Sequence, residues 1–199
     1  MKELIFRDTD HTYWLGPQRL VSVTEVLNAQ GFVDSRWFTE ASRDRGVKVH
    51  LALEYFNENR LDIDSLHPTI AGRVIAYQRF LDDTGFQVVG FEERLSSEAH
   101  ACAGTLDLRG VWGADNYIID FKSGPVAYWT GMQTAAYEML ARKGPHKRAG
   151  LELMENGKYK LTRFESANDR AQFVAALSNY YHRLANGAVR DFKPLREAA

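Results

Sequence analysis

The sequence predicts an α/β (α+β) fold in which a central mixed β-sheet is flanked by helices. Two changes of hydrophobic period carry this expectation. Apolar residues recur at helical intervals up to about residue 85, then at strand intervals from Phe86 to Lys122, and helical spacing returns after Gly124-Pro125. A third observation is an Asn-Gly turn, Asn156-Gly157, between two short β-rich runs near the end, which marks a late hairpin. Strand runs alternating with helical ones place helices against a sheet.

Taken in order, Leu4-Ile-Phe6 and Thr12-Tyr-Trp-Leu15 read as two short strands around a polar turn of Asp8, Asp10 and His11. Ser22-Val-Thr-Glu25 is a capping-box pattern, predicting a short helix to about Asn28 before Gly31. Trp37 to Phe56 predicts a long helix with Gly46 as a point of interruption, and it places His50 and Glu54 one turn apart on one face. A further helix from about Thr69 to Leu81 buries Ile70, Val74 and Tyr77 and ends at Gly85. Phe86–Leu95, Ala101–Trp112 and Tyr117–Lys122 are successive strands, the last two joined through Gly113-Ala-Asp-Asn116. A helix then runs through Leu140 to a stop at Gly144-Pro145, with Gln133 and Tyr137 on the face opposite Ala135 and Leu140. Ala149–Met154 and Tyr159–Phe164 form the hairpin, and Ala167–Leu184 is a last amphipathic helix. Trp14, Trp37, Tyr180 and Tyr181 are expected in the core.

The chain of 199 residues fits one domain over 1-199, with N-terminal strands and helices to about 85, a core over about 86-164 and a C-terminal helix over about 167-186. With 25 basic and 26 acidic residues the net charge is −1, which excludes coating nucleic acid by bulk charge and leaves room for a local site. No run approaches the roughly 20 apolar residues of a membrane span, and the N-terminus lacks a signal-peptide pattern. Cys102 is the only cysteine, so one chain cannot supply a disulfide, a four-cysteine zinc site or an all-cysteine iron-sulfur cluster. No membrane partner and a cytoplasmic location are the expectations.

The strongest chemical signal is Tyr117-Ile-Ile-Asp120-Phe-Lys122-Ser-Gly124. Strand alternation points Asp120 and Lys122 to one face, where burial of both costs free energy unless they pair or bind something. A structural Asp-Lys pair at a strand end is the competing reading. The preceding strand carries Gly104-Thr-Leu-Asp107, and hairpin pairing brings Asp107 toward Asp120. Adjacent carboxylates coexist most easily around a hard divalent cation, and a lysine beside it can hold an attacking water or offset charge on a phosphate.

These residues, followed by Gln133-Thr-Ala-Ala-Tyr137 and preceded by Arg45-Gly-Val-Lys-Val-His50, resemble the PD-(D/E)xK nuclease superfamily, in particular its RecB-like exonuclease branch, over about residues 45 to 137. The Tyr13 to Val26 stretch is similar to small phage-type members. The resemblance implies a restriction-endonuclease-like core and a DNA exonuclease dependent on Mg²⁺ or Mn²⁺, serving phage recombination, replication or repair. It implies Asp107 and Asp120 as catalytic and metal-binding carboxylates, with His50, the backbone carbonyl of Phe121 and Glu93 as further ligands and Glu54 as a weaker candidate. It implies Lys122 as the catalytic lysine, and Gln133 and Tyr137 as active-site residues touching substrate or orienting it.

DNA is the implied partner, together with a recombination or single-strand annealing protein. Members with an iron-sulfur cluster use four cysteines, which this chain lacks, and no phosphate-binding Gly-rich loop suggests a nucleotide cofactor. Arg45, Lys48, Lys147 and Arg148 are candidate phosphate contacts, with Arg43, Lys143 and His146 near them, and Tyr128 and Trp129 are candidate base-stacking residues. A solvated charged face is the competing reading of the cations, and core packing that of Trp129. A non-catalytic DNA-binding module that keeps the nuclease fold, a structure-specific endonuclease of the same fold and, last, a two-carboxylate glycosidase are the alternatives.

Overall fold

Polar turn residues and short apolar runs fold the N-terminus as a meander. The computed structural model describes residues 2–33 and 39–189. Leu4–Arg7 (β1) pairs antiparallel with Thr12–Leu15 (β2), which turns through Gly16 into Gln18–Ser22 (β3). The third strand departs from the sequence expectation. With only Leu20 and Val21 apolar it has no alternation to read, and it forms because both side chains are buried and Val21-Ser22 pair with Cys102-Ala103. Ser22 then caps Val23–Ala29 (α1): its Oγ accepts from the Glu25 amide at 3.1 Å and the Glu25 carboxylate accepts from the Ser22 amide at 3.3 Å, the reciprocal box that the spacing predicts.

Thr39 caps Glu40–Asn57 (α2), which runs through Gly46 without a break. Trp37, expected in the core and at the start of this helix, lies outside the described residues. After a short 3-10 turn at Ile63–Ser65, Pro68–Thr84 (α3) starts with proline in its first turn, where the missing amide costs nothing, and stops at Gly85 with φ 64°. Gln87–Ser97 (β4), Cys102–Trp112 (β5) and Asp115–Lys122 (β6) follow, then Thr130–Ala141 (α4), Lys147–Leu153 (β7), Tyr159–Phe164 (β8) and Asn168–Ala185 (α5).

The eight strands make one sheet. Seven follow the order β1-β2-β3-β5-β6-β7-β8, and β4 lies on the free edge of β5. The β3–β5 and β6–β7 pairings are parallel and the rest antiparallel, so the sheet is mixed as expected. β5 organises the centre. One edge pairs with β4 along its length, while the other pairs with β3 at Cys102 and Ala103 and with β6 from Leu108 to Trp112. Between those two partners, at Gly104 to Asp107, the second edge is open.

Apolar clusters fill both faces. On one, α1, α4 and α5 pack Val26, Leu27, Met132, Phe173 and Tyr180 against Leu106 and Ile118. On the other, α2 and α3 pack Val49, Leu53, Val74 and Phe80 against Leu108, Ile119 and Leu151. Tyr180 is fully buried, Tyr181 packs partly buried beside it, and Trp14 is half-buried under the Arg7 guanidinium at 4.6 Å. α4 departs from the amphipathic expectation. Eleven of its residues are buried, because it lies between the sheet and α5 and has no solvent face for a polar stripe.

Candidate active site

The opening in the pairing of β5 is where the cleft forms. The β5–β6 ladder ends at Leu108–Ile119, and the next residues along each strand, Asp107 and Asp120, stand at the fork. Asp107 Oδ2 accepts a 2.7 Å hydrogen bond from the Phe121 amide, so a side chain replaces the ladder bond at this rung and fixes the carboxylate. α2 brings His50 over the fork, and His50 Nδ1 lies 2.9 Å from Glu92 Oε1 and 3.8 Å from Asp107 Oδ1. One ligand atom from each of His50, Glu92 and Asp107 falls within a 4.8 Å cluster. Asp120 sits beside them fully buried, and apart from the Lys122 ion pair neither of its oxygens has a hydrogen-bond donor.

This donor set fits a hard divalent cation. One imidazole and three carboxylates converge, and Asp120 presents buried oxygens that an ion would satisfy. The electrostatics agree. Burial pushes the Asp120 carboxyl up to about 6, against the pull of the Lys122 ammonium and helped by Asp107. Burial raises Asp107 too, with the His50 charge opposing. Burial acts against a charged His50, but the carboxylates of Asp107, Glu92 and Asp120 outweigh it and hold the imidazole at about 9. The cluster thus keeps protons where a metal ion would supply positive charge.

Lys122 is held on three sides. Its ammonium pairs with Asp120, donates to Gln133 Oε1 at 3.2 Å and lies 4.9 Å from the centre of the Trp129 ring. Gln133 Nε2 donates in turn to the Tyr137 hydroxyl at 3.2 Å. Tyr137 rests on Gly104, where a β-carbon would come within 2.8 Å of its ring. The cleft, of about 810 Å³, is lined by these groups, by Val47, Leu51 and Glu54 of α2, and by Phe6, Asp8, His11 and Tyr13 of the β1–β2 hairpin.

Of the residues picked out from sequence, His50, Asp107, Asp120, Phe121, Lys122, Gln133 and Tyr137 meet in this cleft, with Glu54 half-buried at its wall. Glu93 does not. Its carboxylate takes two bonds from Arg109, at 2.6 and 2.7 Å, with Lys143 at 3.6 Å, and Glu92 enters the cleft in its place. The cause is a register shift between Val88 and Gly90, followed by a left-handed φ of 47° at Glu92, which upsets the alternation that selects Glu93.

The candidate DNA contacts scatter. Arg148 is a buried structural cation: it donates to the Gly131 and Ser166 carbonyls and to Asp169, all within 2.9 Å, and ties α4 to the start of α5. Lys147 pairs with Asp115 and stands on the rung of Tyr117, five residues or about 17 Å along β6 from Lys122. Lys48 is exposed and bound to Asp44 one turn away, and Arg45 is half-buried. Trp129 is buried against Lys122 and unavailable to a base, whereas Tyr128 is 72% exposed with its hydroxyl donating to the Phe32 carbonyl. Sequence reasoning missed Glu92, the contact of Trp129 with Lys122 and the hairpin wall. The Glu-Glu pair at 92 and 93 was the one available signal, and alternation read it wrongly.

The chain is similar in structure to an alkaline exonuclease, LHK-Exo, from Laribacter hongkongensis, with 15% sequence identity, a TM-score of 0.43 and coverage of 85% of this chain and 89% of that one. A second structure, of LHK-Exo in complex with dAMP, matches with 16% identity, a TM-score of 0.42 and the same coverage. No family model matches the sequence, and no curated protein matches it. Among the described residues, no helix is long and apolar enough to cross a membrane.

Proposed function

We propose that this chain is a divalent-metal-dependent deoxyribonuclease, an exonuclease that hydrolyses phosphodiester bonds of DNA. The observation that carries the reading is the meeting, in one cleft, of a His50–Glu92–Asp107–Asp120 donor set with a lysine immobilised beside it. His50, Glu92, Asp107 and Asp120 would hold the ion. A bound Mg²⁺ or Mn²⁺ supplies Lewis acidity toward a phosphoryl oxygen and lowers the pKa of a water. Every other function falls to the side chains. The Phe121 amide fixes Asp107, and Asp120 and Gln133 fix the Lys122 ammonium, whose free proton donors face the cleft. Lys122 there orients the attacking water and offsets charge growing on the phosphoryl oxygens, while the P–O bond to the departing sugar oxygen breaks and that oxygen takes up a proton. On the resemblance, the activity would serve phage DNA recombination, replication or repair, beside an annealing protein.

The test is cleavage of end-labelled linear single- and double-stranded DNA, and of closed circles, with Mg²⁺, Mn²⁺ or EDTA. Metal-dependent loss of linear DNA with circles spared is expected, and Lys122→Ala should reduce the rate by at least about 10²-fold, the scale of one transition-state donor, while melting as the wild type does. Equal rates for Lys122→Ala and wild type would sink the assignment.

A further inference from the structure

Arg94 is a cation in the cleft that the metal centre does not use. It lies two residues beyond Glu92 on β4, opposite Thr105, and among the described residues it makes no ion pair and no hydrogen bond. Its guanidinium instead lies 4.8 Å above the Phe6 ring. Phe6 is itself braced. It pairs across the hairpin with Tyr13, ring centres 4.8 Å apart, and meets the edge of His11 at 4.9 Å. The Tyr13 hydroxyl is bonded to Thr105 Oγ1 at 2.8 Å, which ties the hairpin wall to the strand carrying Asp107. An arginine stacked by one face on an aromatic ring keeps its planar fork of N–H donors free, and that fork matches two oxygens of a phosphate. The nearby carboxylates Glu92, Asp107 and Asp120 belong to the metal donor set and leave Arg94 uncompensated. Two strand residues span about 7 Å, close to one nucleotide step of an extended single strand.

We infer that Arg94, stacked on Phe6, is a phosphate-binding subsite that grips the phosphodiester one nucleotide away from the bond held at His50, Glu92, Asp107 and Asp120. This rests on the nuclease reading and adds to it how the strand is set in register with the metal centre. Arg94 is exposed and outside the core, so replacing it should leave the fold intact.

The test is binding of single-stranded oligonucleotides in EDTA, where no cleavage occurs, for wild type, Arg94→Ala and Arg94→Lys. Arg94→Ala should bind about tenfold more weakly, and the slope of log affinity against log salt should fall by about one. Arg94→Lys should recover the slope but only part of the affinity, since it keeps the charge and loses the fork. Oligonucleotides carrying one neutral methylphosphonate, moved along the strand, locate the contact. Wild type should lose affinity at one position next to the cleaved bond, and Arg94→Ala should be indifferent there. Unchanged binding and an unchanged methylphosphonate profile in Arg94→Ala overturn the subsite while leaving the nuclease reading standing. An effect confined to oligonucleotides with a terminal phosphate overturns the internal phosphodiester assignment. A wild type that binds no DNA at all overturns both readings.

Discussion

Glu92 and Glu93 are neighbours with opposite fates, and the difference is one of backbone. A non-glycine residue at φ 47° stores strain of about 1–3 kcal/mol, which persists only where the surroundings impose it, and here it delivers a carboxylate to His50. Glu93 meanwhile is held below the usual carboxylate range by the hydrogen bonds of Arg109, against burial and with help from Lys143. The pair can be separated by isosteric substitution. Glu92→Gln should weaken Mn²⁺ binding at least tenfold in calorimetric titration with a small change in melting temperature. Glu93→Gln should leave Mn²⁺ affinity unchanged and cost about 1 kcal/mol of stability, the scale of a partly exposed bidentate pair. If the two variants exchanged these phenotypes, the metal-ligand role would belong to Glu93 after all. Gln133 is tested in the same spirit. Gln133→Leu keeps bulk inside α4 but removes the Lys122 acceptor, so kcat should fall by about tenfold or more while KM stays near its original value.

Among the elements, the joint between α3 and the β7–β8 turn is the tightest. Gly72 sits in mid-helix, where glycine costs about 1 kcal/mol relative to alanine. The contact explains it, since a β-carbon there would stand 1.7 Å from the Glu155 carbonyl oxygen. Gly72→Ala should therefore destabilise by about 3 kcal/mol or more, seen as a lowered midpoint in urea at unchanged slope, where helix propensity alone predicts a gain. Elements of this kind also show how far the sequence could be read. The capping box at Ser22, the glycine stop at Gly85 and the Asn156-Gly157 turn are local signals, and local geometry answers them. β3 and the true surroundings of α4 depend on partners distant in sequence. Two apolar residues become a strand only because β5 offers an edge, and a helix with Gln133 and Tyr137 on it can be buried throughout because those polar groups satisfy each other and Lys122. The site was legible to the same extent. Motif residues fixed by ladder position or helix spacing converge, whereas Glu92 and the hairpin wall depend on a bulge and on the meander, which leave no local trace.

At the scale of the whole molecule, the fork in the sheet gathers three carboxylates at the junction of the two apolar cores, and that arrangement opposes folding until something neutralises it. Asp120 shows the effect most directly, because it is fully buried and its proton affinity is raised to about 6 from an ordinary carboxylate value of about 3.9. The sign follows from linkage. The folded state holds this proton more tightly than the unfolded state, so the protonated form favours folding, and the penalty for a charged Asp120 is full above pH 6 and vanishes as pH falls through 6 toward 4. Asp120→Asn removes the charge and keeps the shape. In EDTA at pH 7.5 the variant should melt a few degrees above wild type, on the order of 2 kcal/mol, and the gap should close as pH falls toward 4. Adding Mg²⁺ or Mn²⁺ should raise the wild-type midpoint in proportion to occupancy and leave Asp120→Asn nearly unmoved, since ligand that binds only the folded state stabilises it by mass action. Stability and activity then run in opposite directions at one residue: the variant that folds best without metal should be the one that cannot cleave. Equal melting of the two proteins in EDTA at every pH would mean that Asp120 carries no uncompensated charge, its pairing with Lys122 being sufficient, and the case for a cation held by Asp120 would fail with it.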